Sequence, residues 1–189
     1  MFLQAEKRKI PEANHLYGAV VYLAGAIQYD SNSGQCWRDF VSLKMKDLGV
    51  KVFSPTNKPS PFVSEISEEL GAVDKYIKEK NWEAAHAYIR DKIIRVDLRM
   101  VDKSDFIIAR IDPKIHTCGT YHEIILASSQ KKPVFIFVDG GIQNIPKWLL
   151  GLVHPKYIFD DIGKLLSYLY RIDKSCFTLN NKWILFDEN

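Results

Sequence analysis

Ala19-Val20-Val21-Tyr22-Leu23-Ala24-Gly25 is a short apolar, β-prone run stopped by a glycine. That is the profile of a strand buried on both faces of a sheet. A polar loop, Gln28 to Gln35, follows it. Cys36 to Leu48 then carries apolar side chains at Trp37, Phe40, Val41, Met45 and Leu48, a helical spacing that Gly49 ends. Val50-Lys51-Val52-Phe53 reads as a second strand, closed by Ser54-Pro55.

Outward from this unit the alternation continues. Pro55 to Pro61 holds three prolines and reads as a loop. Ser64 to Ser104 has a helical pattern with a break expected near Lys80-Asn81. Asp105 to Ile111 is a third strand, about Gly119 to Lys131 a helix, and Pro133 to Val138 a fourth strand ended by Gly140-Gly141. Lys156 to Phe159 is a weaker fifth strand, Ile162 to Ile172 an amphipathic helix, and Trp183 to Phe186 an apolar tail. Strands alternating with helices imply an α/β fold with a mainly parallel, five-stranded sheet covered on both faces. Ligands of such folds sit at the carboxyl ends of the strands, so the loops after Leu23, Phe53, Ile111 and Val138 are where chemistry is expected. The chain divides into a polar leader (1–17), one domain (18–175) and a C-terminal tail (176–189).

Composition narrows the classes. The 189 residues are 47% hydrophobic and 26% charged, an ordinary globular balance, and the net charge of +3 is spread without a basic arm for nucleic acid. Cys36, Cys118 and Cys176 lack CxxC spacing, and the histidines do not pair with cysteines or carboxylates at ligand spacing, so neither a disulfide framework nor a metal site is expected. No apolar run approaches a membrane span and the charged start lacks a signal-peptide core. A cytoplasmic protein without membrane partners is the expectation. The chain has no GxGxxG, GxxxxGK[ST] or GxSxG, which argues against a dinucleotide cofactor, a P-loop and an α/β-hydrolase.

Asp97 is flanked at helical spacing by Ile93, Ile94, Met100 and Val101. A carboxyl on an apolar stripe either keeps its proton, as a general acid must, or is ion-paired to Arg95, Arg99 or another strand's cation, or caps a nearby loop. Glu123 falls in Gly119-Thr120-x-x-Glu123. Thr120 and Glu123 fit a capping box; alternatively, a glutamate in a first helical turn is held ionised by the helix dipole, as a nucleophile requires. Two carboxyls in opposite protonation states make the minimal apparatus of retaining glycoside chemistry. Tyr22 is either core or site, and Gly25 would let the backbone approach a ligand closely. Arg38 would hold a phosphate or carboxylate if Trp37-Arg38 opens its helix toward the ligand; otherwise Trp37 is core and Arg38 a surface cation. Cys118 and His122 lie four apart without a visible third partner for thiol catalysis.

Tyr22-Leu23-Ala24-Gly25-Ala26, Asp97, Asp105-Phe106-Ile107-Ile108-Ala109, Gly119-Thr120-x-x-Glu123, Ala127 and Lys132-Pro133-Val134, in this order, resemble the nucleoside 2-deoxyribosyltransferase family from about Val20 to Val138. The resemblance implies a flavodoxin-like three-layer α/β/α fold and a double-displacement exchange of bases on a nucleoside or nucleotide, without metal or organic cofactor. Glu123 would form the glycosyl-enzyme intermediate, Asp97 would protonate the departing base and Tyr22 would orient Glu123. Gly25, Ala26, Gln28, Trp37, Arg38, Asp112, Gly119 and Thr120 would contribute to substrate binding. It also implies a homo-oligomer in which a neighbour's C-terminal segment completes the site. Thr117 departs from the family pattern, which commonly has an aspartate there; Asp112 is the candidate replacement. The segment Gln28-Tyr29-Asp30 departs as well. Hydrolysis of the same bond, on nucleoside 5′-monophosphates, and a non-catalytic nucleotide-binding module are the alternatives.

Overall fold

The computed structural model describes residues 14–30, 32–58 and 68–174. Most of the leader, Cys176, the start of the helical stretch at Ser64 and the tail at 176–189 lie outside the described residues.

Five strands form one sheet: β1 (Val20–Ala24), β2 (Lys51–Phe53), β3 (Phe106–Ile111), β4 (Val134–Val138) and β5 (Ile158–Phe159). Their order is β2-β1-β3-β4-β5 and every neighbouring pair is parallel. This is the flavodoxin-like winding. The apolar runs of β1, β3 and β4 have their physical reason here, because side chains on both faces are buried. Tyr22, Ala24, Ile107, Ala109 and Ile136 pack in one core with Met100, Val101, Ile124 and Leu149. Val21, Leu23, Phe106, Ile108, Phe135 and Phe137 pack in the other with Trp37, Val41, Met45, Leu165 and Leu169. The edge strands are shorter, and Lys51 on β2 is exposed.

The helices supply the two outer layers. On one face lie α1 (Gln35–Asp47) and α7 (Ile162–Asp173). On the other lie α4 (Arg95–Lys103), α5 (Cys118–Ser129) and the short α6 (Lys147–Leu152). Gly49, at φ 72°, ends the α1 turn, and a Cβ there would run into the ring of Tyr17. Asp161 caps α7 by accepting from the Lys164 amide at 3.0 Å.

Between β2 and α4 the chain forms α2 (Glu68–Lys78) and α3 (Trp82–Tyr88). Lys80, at φ 54°, breaks the helix and Asn81 caps the next by accepting from the Ala84 amide at 3.1 Å. The break thus falls at the expected dipeptide. A π-helical turn, Ile89–Ile94, then leads into α4. No 3.6-residue periodicity announces such a turn, and π-turns recur at functional sites.

β1 connects outward to β2 while β3 lies on its other side, so the switch point of the sheet falls between the carboxyl ends of β1 and β3.

A carboxylate cavity at the switch point

A cavity of about 220 Å³ opens there. Gly25 to Gln28 after β1 and Pro55 after β2 form one wall. Ile93, Ile94, Asp97 and Leu98 form a second, and His116 to Thr120 with His122 and Glu123 a third. Of the expected site residues, Gly25, Ala26, Gln28, Asp97, Gly119, Thr120 and Glu123 come together in this lining; Tyr22 sits directly beneath it.

The capping box does not form. The helix begins at Cys118 with Thr117 as its cap residue, and the Thr120 hydroxyl pairs with that of Thr117 instead. Glu123 is the sixth helical residue, in the second turn rather than the first. The helix dipole falls off within one turn, so it does little for this carboxylate. The supporting group comes from the sheet: the Tyr22 hydroxyl donates to Glu123 Oε1 at 2.7 Å. Tyr22 is therefore core and site at once, fully buried yet carrying its polar end to the cavity floor.

Asp97 is buried, but its stripe is not wholly apolar. Lys58 Nζ lies 3.2 Å from Asp97 Oδ1, with the lysine side chain fully buried. The same ammonium donates to the Lys92 carbonyl, in the π-turn, at 3.3 Å. The nearer arginines are engaged on the surface, Arg95 with Asp91 and Arg99 with Asp102. A cation this close favours the carboxylate form, the ion-paired alternative, with a loop lysine standing where an arginine or a strand cation was expected.

Trp37 and Arg38 do not line the cavity. Arg38 is buried and donates to the carbonyls of Gly25 at 2.7 Å, Gly34 at 3.0 Å, Ser33 at 3.3 Å and Ala26 at 3.4 Å. It is neither a surface cation nor placed to receive a phosphate; it secures the β1–α1 loop from behind. Trp37 packs edge-on against Phe137, with ring centroids 5.4 Å apart. A Cβ on Gly25 would lie 2.8 Å from Trp37 Cζ2, so the glycine is required by this packing. Asp112 is not in the lining either. Its carboxylate accepts from the Lys114 amide at 2.9 Å within its own turn, which leaves the position of Thr117 without a substitute carboxylate from that residue.

Two further residues shape the site. Lys58 gave no sign in a proline-rich loop. Arg110 did, as the lone charge within the apolar β3 run. It donates to Asp139 Oδ2 at 2.7 Å and to Asp30 Oδ2 at 3.1 Å, pinning the β1–α1 loop to the end of β4. Burial pulls the Arg110 guanidinium down, but the hydrogen bond and charge of Asp139 and the charges of Asp30 and Asp112 outweigh it and raise it above its ordinary value. Asp30 in turn accepts from the Gly34 amide at 3.0 Å.

Cys36 and Cys118 are free thiols. Cys118 and His122 both line the cavity. Among the described residues no group of three or more His, Cys, Asp or Glu could hold a metal ion, and no helix is long and apolar enough to cross a membrane.

The geometry agrees with what the chain is similar to. The family model for nucleoside 2-deoxyribosyltransferase matches residues 21–166. Among solved structures, a 2-deoxyribosyltransferase from Bacillus psychrosaccharolyticus superposes with a TM-score of 0.53 at 22% identity, over 79% of this chain and 92% of that one. A 2-deoxyribosyltransferase from Leishmania mexicana gives 0.51 at 21% identity, over 80% and 96%. A conserved protein from Enterococcus faecalis gives 0.54 at 15% identity, over 81% and 98%. These likenesses establish the fold. Comparison with curated protein sequences gives no match.

Proposed function

The chain belongs to the nucleoside 2-deoxyribosyltransferase family, enzymes of the N-glycosidic bond, and from that premise we propose that it exchanges the base of a deoxynucleoside through a glycosyl intermediate on Glu123. The observation that carries this reading is the Tyr22–Glu123 hydrogen bond of 2.7 Å at the floor of a cavity that Asp97 also lines.

A carboxylate oxygen of Glu123 attacks C1′ as the C1′–N bond breaks, and the electron pair leaves with the base. Asp97 hands the departing nitrogen a proton, and Tyr22 orients the attacking carboxylate. A second base then attacks C1′ and releases Glu123. Ala26, Gln28, Gly119 and Thr120 hold the sugar and base, and Trp37 and Arg38 act behind the loop that carries Ala26 and Gln28.

The lining supports an uncharged nucleoside over its 5′-phosphate. It holds two carboxylates and two histidines and, among the described residues, no lysine or arginine. Chromatography of the protein incubated with a deoxynucleoside and a second free base tests the proposal. Appearance of the second deoxynucleoside identifies the transfer; free deoxyribose alone would identify a hydrolase; no change would sink both readings.

A further inference from the structure

Building on that reaction, we propose that Lys58 is a positioning residue that works through Asp97, holding it ionised in the resting enzyme and resupplying the proton it gives to the leaving base. Nothing in the family motif includes Lys58. Its side chain is fully buried, and a buried ammonium is retained only where an anion and acceptors compensate it. Asp97 Oδ1 at 3.2 Å and the Lys92 carbonyl at 3.3 Å provide that compensation, and the second contact fixes the ammonium against the π-turn that carries Ile93 and Ile94 into the cavity wall.

Such a pair conflicts with a simple general-acid assignment. Asp97 beside an ammonium is a carboxylate, and a carboxylate has no proton to give. The conflict disappears when the pair is the donor. As C1′–N breaks, the electron pair stays on the base nitrogen, which takes a proton from Asp97, and Asp97 takes one from Lys58 Nζ. Lys58 is left as a neutral amine and Asp97 as the carboxylate it was. The incoming base, on bonding to C1′, loses its own proton, which returns to Lys58 through Asp97. Lys58 reaches Asp97 from outside the lining, and the titratable groups that line the cavity together with Asp97 are Glu123, Cys118, His116 and His122.

Two variants and two readouts test this. Lys58→Met removes the proton and the charge; Lys58→Arg keeps a charge that does not deprotonate. Carbon-13 NMR of labelled aspartate, with the Asp97 signal identified by its loss in Asp97→Asn, should report a carboxylate at neutral pH in the native protein and in Lys58→Arg, and a protonated carboxyl in Lys58→Met. Exchange of a natural deoxynucleoside should fall at least about 100-fold in both variants, the scale of a lost proton transfer. Release of phenolate from para-nitrophenyl deoxyriboside, which leaves without a proton, should fall less than about tenfold. An unchanged Asp97 signal in Lys58→Met overturns the inference, as does full nucleoside exchange by Lys58→Arg. If Lys58→Met does not fold, Lys58→Arg carries the kinetic test alone. A native protein that acts on neither substrate would overturn the proposed reaction, while the NMR comparison would still report whether Lys58 sets the charge of Asp97.

Discussion

Tyr22 and Glu123 lie 101 positions apart and meet through a 2.7 Å hydrogen bond from the phenol to the carboxylate. Tyr22 comes from β1, an interior strand of the sheet, and is fully buried, whereas Glu123 comes from a helix packed over that strand. A donor held by core packing therefore sets where the carboxylate points. Tyr22→Phe keeps the ring and its packing and deletes only the donor. A hydrogen bond to a charged group is worth about 1.5–3 kcal/mol, so kcat should fall about 10- to 100-fold with the thermal midpoint little changed. Native kcat in this variant would show the bond to be structural only.

Glu123→Ala removes the proposed nucleophile and should abolish exchange while leaving the circular dichroism spectrum as it was. The native protein, quenched during turnover and digested, should carry a deoxyribosyl mass increment on the peptide containing Glu123. An increment on another residue would relocate the nucleophile, and Cys118, in the same lining, is where to look first.

Asp97→Asn keeps the shape of the side chain but carries no transferable proton. Reactions whose base leaves poorly should slow by about 100-fold or more, and para-nitrophenyl deoxyriboside should be affected far less. Equal losses on the two substrates would leave Asp97 with a binding role.

The fold was legible because the strongest periodicities belong to buried strands. The β1, β3 and β4 runs sit within a residue of their expected bounds, since continuous apolar character is what two-sided burial demands. The π-turn at Ile89–Ile94 was not legible, because a local change of helical pitch leaves no regular pattern. The site was half legible. Glu123 and Asp97 stood out as carboxyls where apolar or capping residues were the simpler reading, and both line the cavity. Arg38 was not legible in its direction because sequence says that a cation is near a loop, not which way it turns; here four backbone carbonyls accept from it. Lys58 was invisible because its partner lies on another element, a distance in space that spacing along the chain does not encode.

Arg110 ties the β1–α1 loop to β4 through Asp30 and Asp139. The network is partly solvated, which screens it, so Arg110→Met should cost only about 1 kcal/mol of stability. Its larger effect should be on binding, because the same loop supplies Gly25 to Gln28 of the cavity wall. KM for the deoxynucleoside should rise several-fold with kcat less affected. An unchanged KM would mean that Arg38 alone holds the loop.

Substrate charge is the last consequence of the same arrangement. A 5′-phosphate brings two negative charges toward a lining that already holds Asp97 and Glu123. The arginine nearest in sequence to the loop has its guanidinium turned inward on carbonyl oxygens, Gly25 among them at 2.7 Å. Arg110, also near the loop, is engaged by Asp139 at 2.7 Å. Accepting the phosphate on either of these guanidinium groups would mean pulling it from partners that hold the loop in shape, and the loop is part of the site. The unphosphorylated deoxynucleoside should therefore have a kcat/KM at least about tenfold above that of its 5′-phosphate, a difference of about 1.4 kcal/mol. Competition between the two substrates in one reaction, followed by chromatography, measures the ratio directly. A preference for the 5′-phosphate would require a cation to enter the cavity on binding, and Arg38→Met would then be expected to erase it.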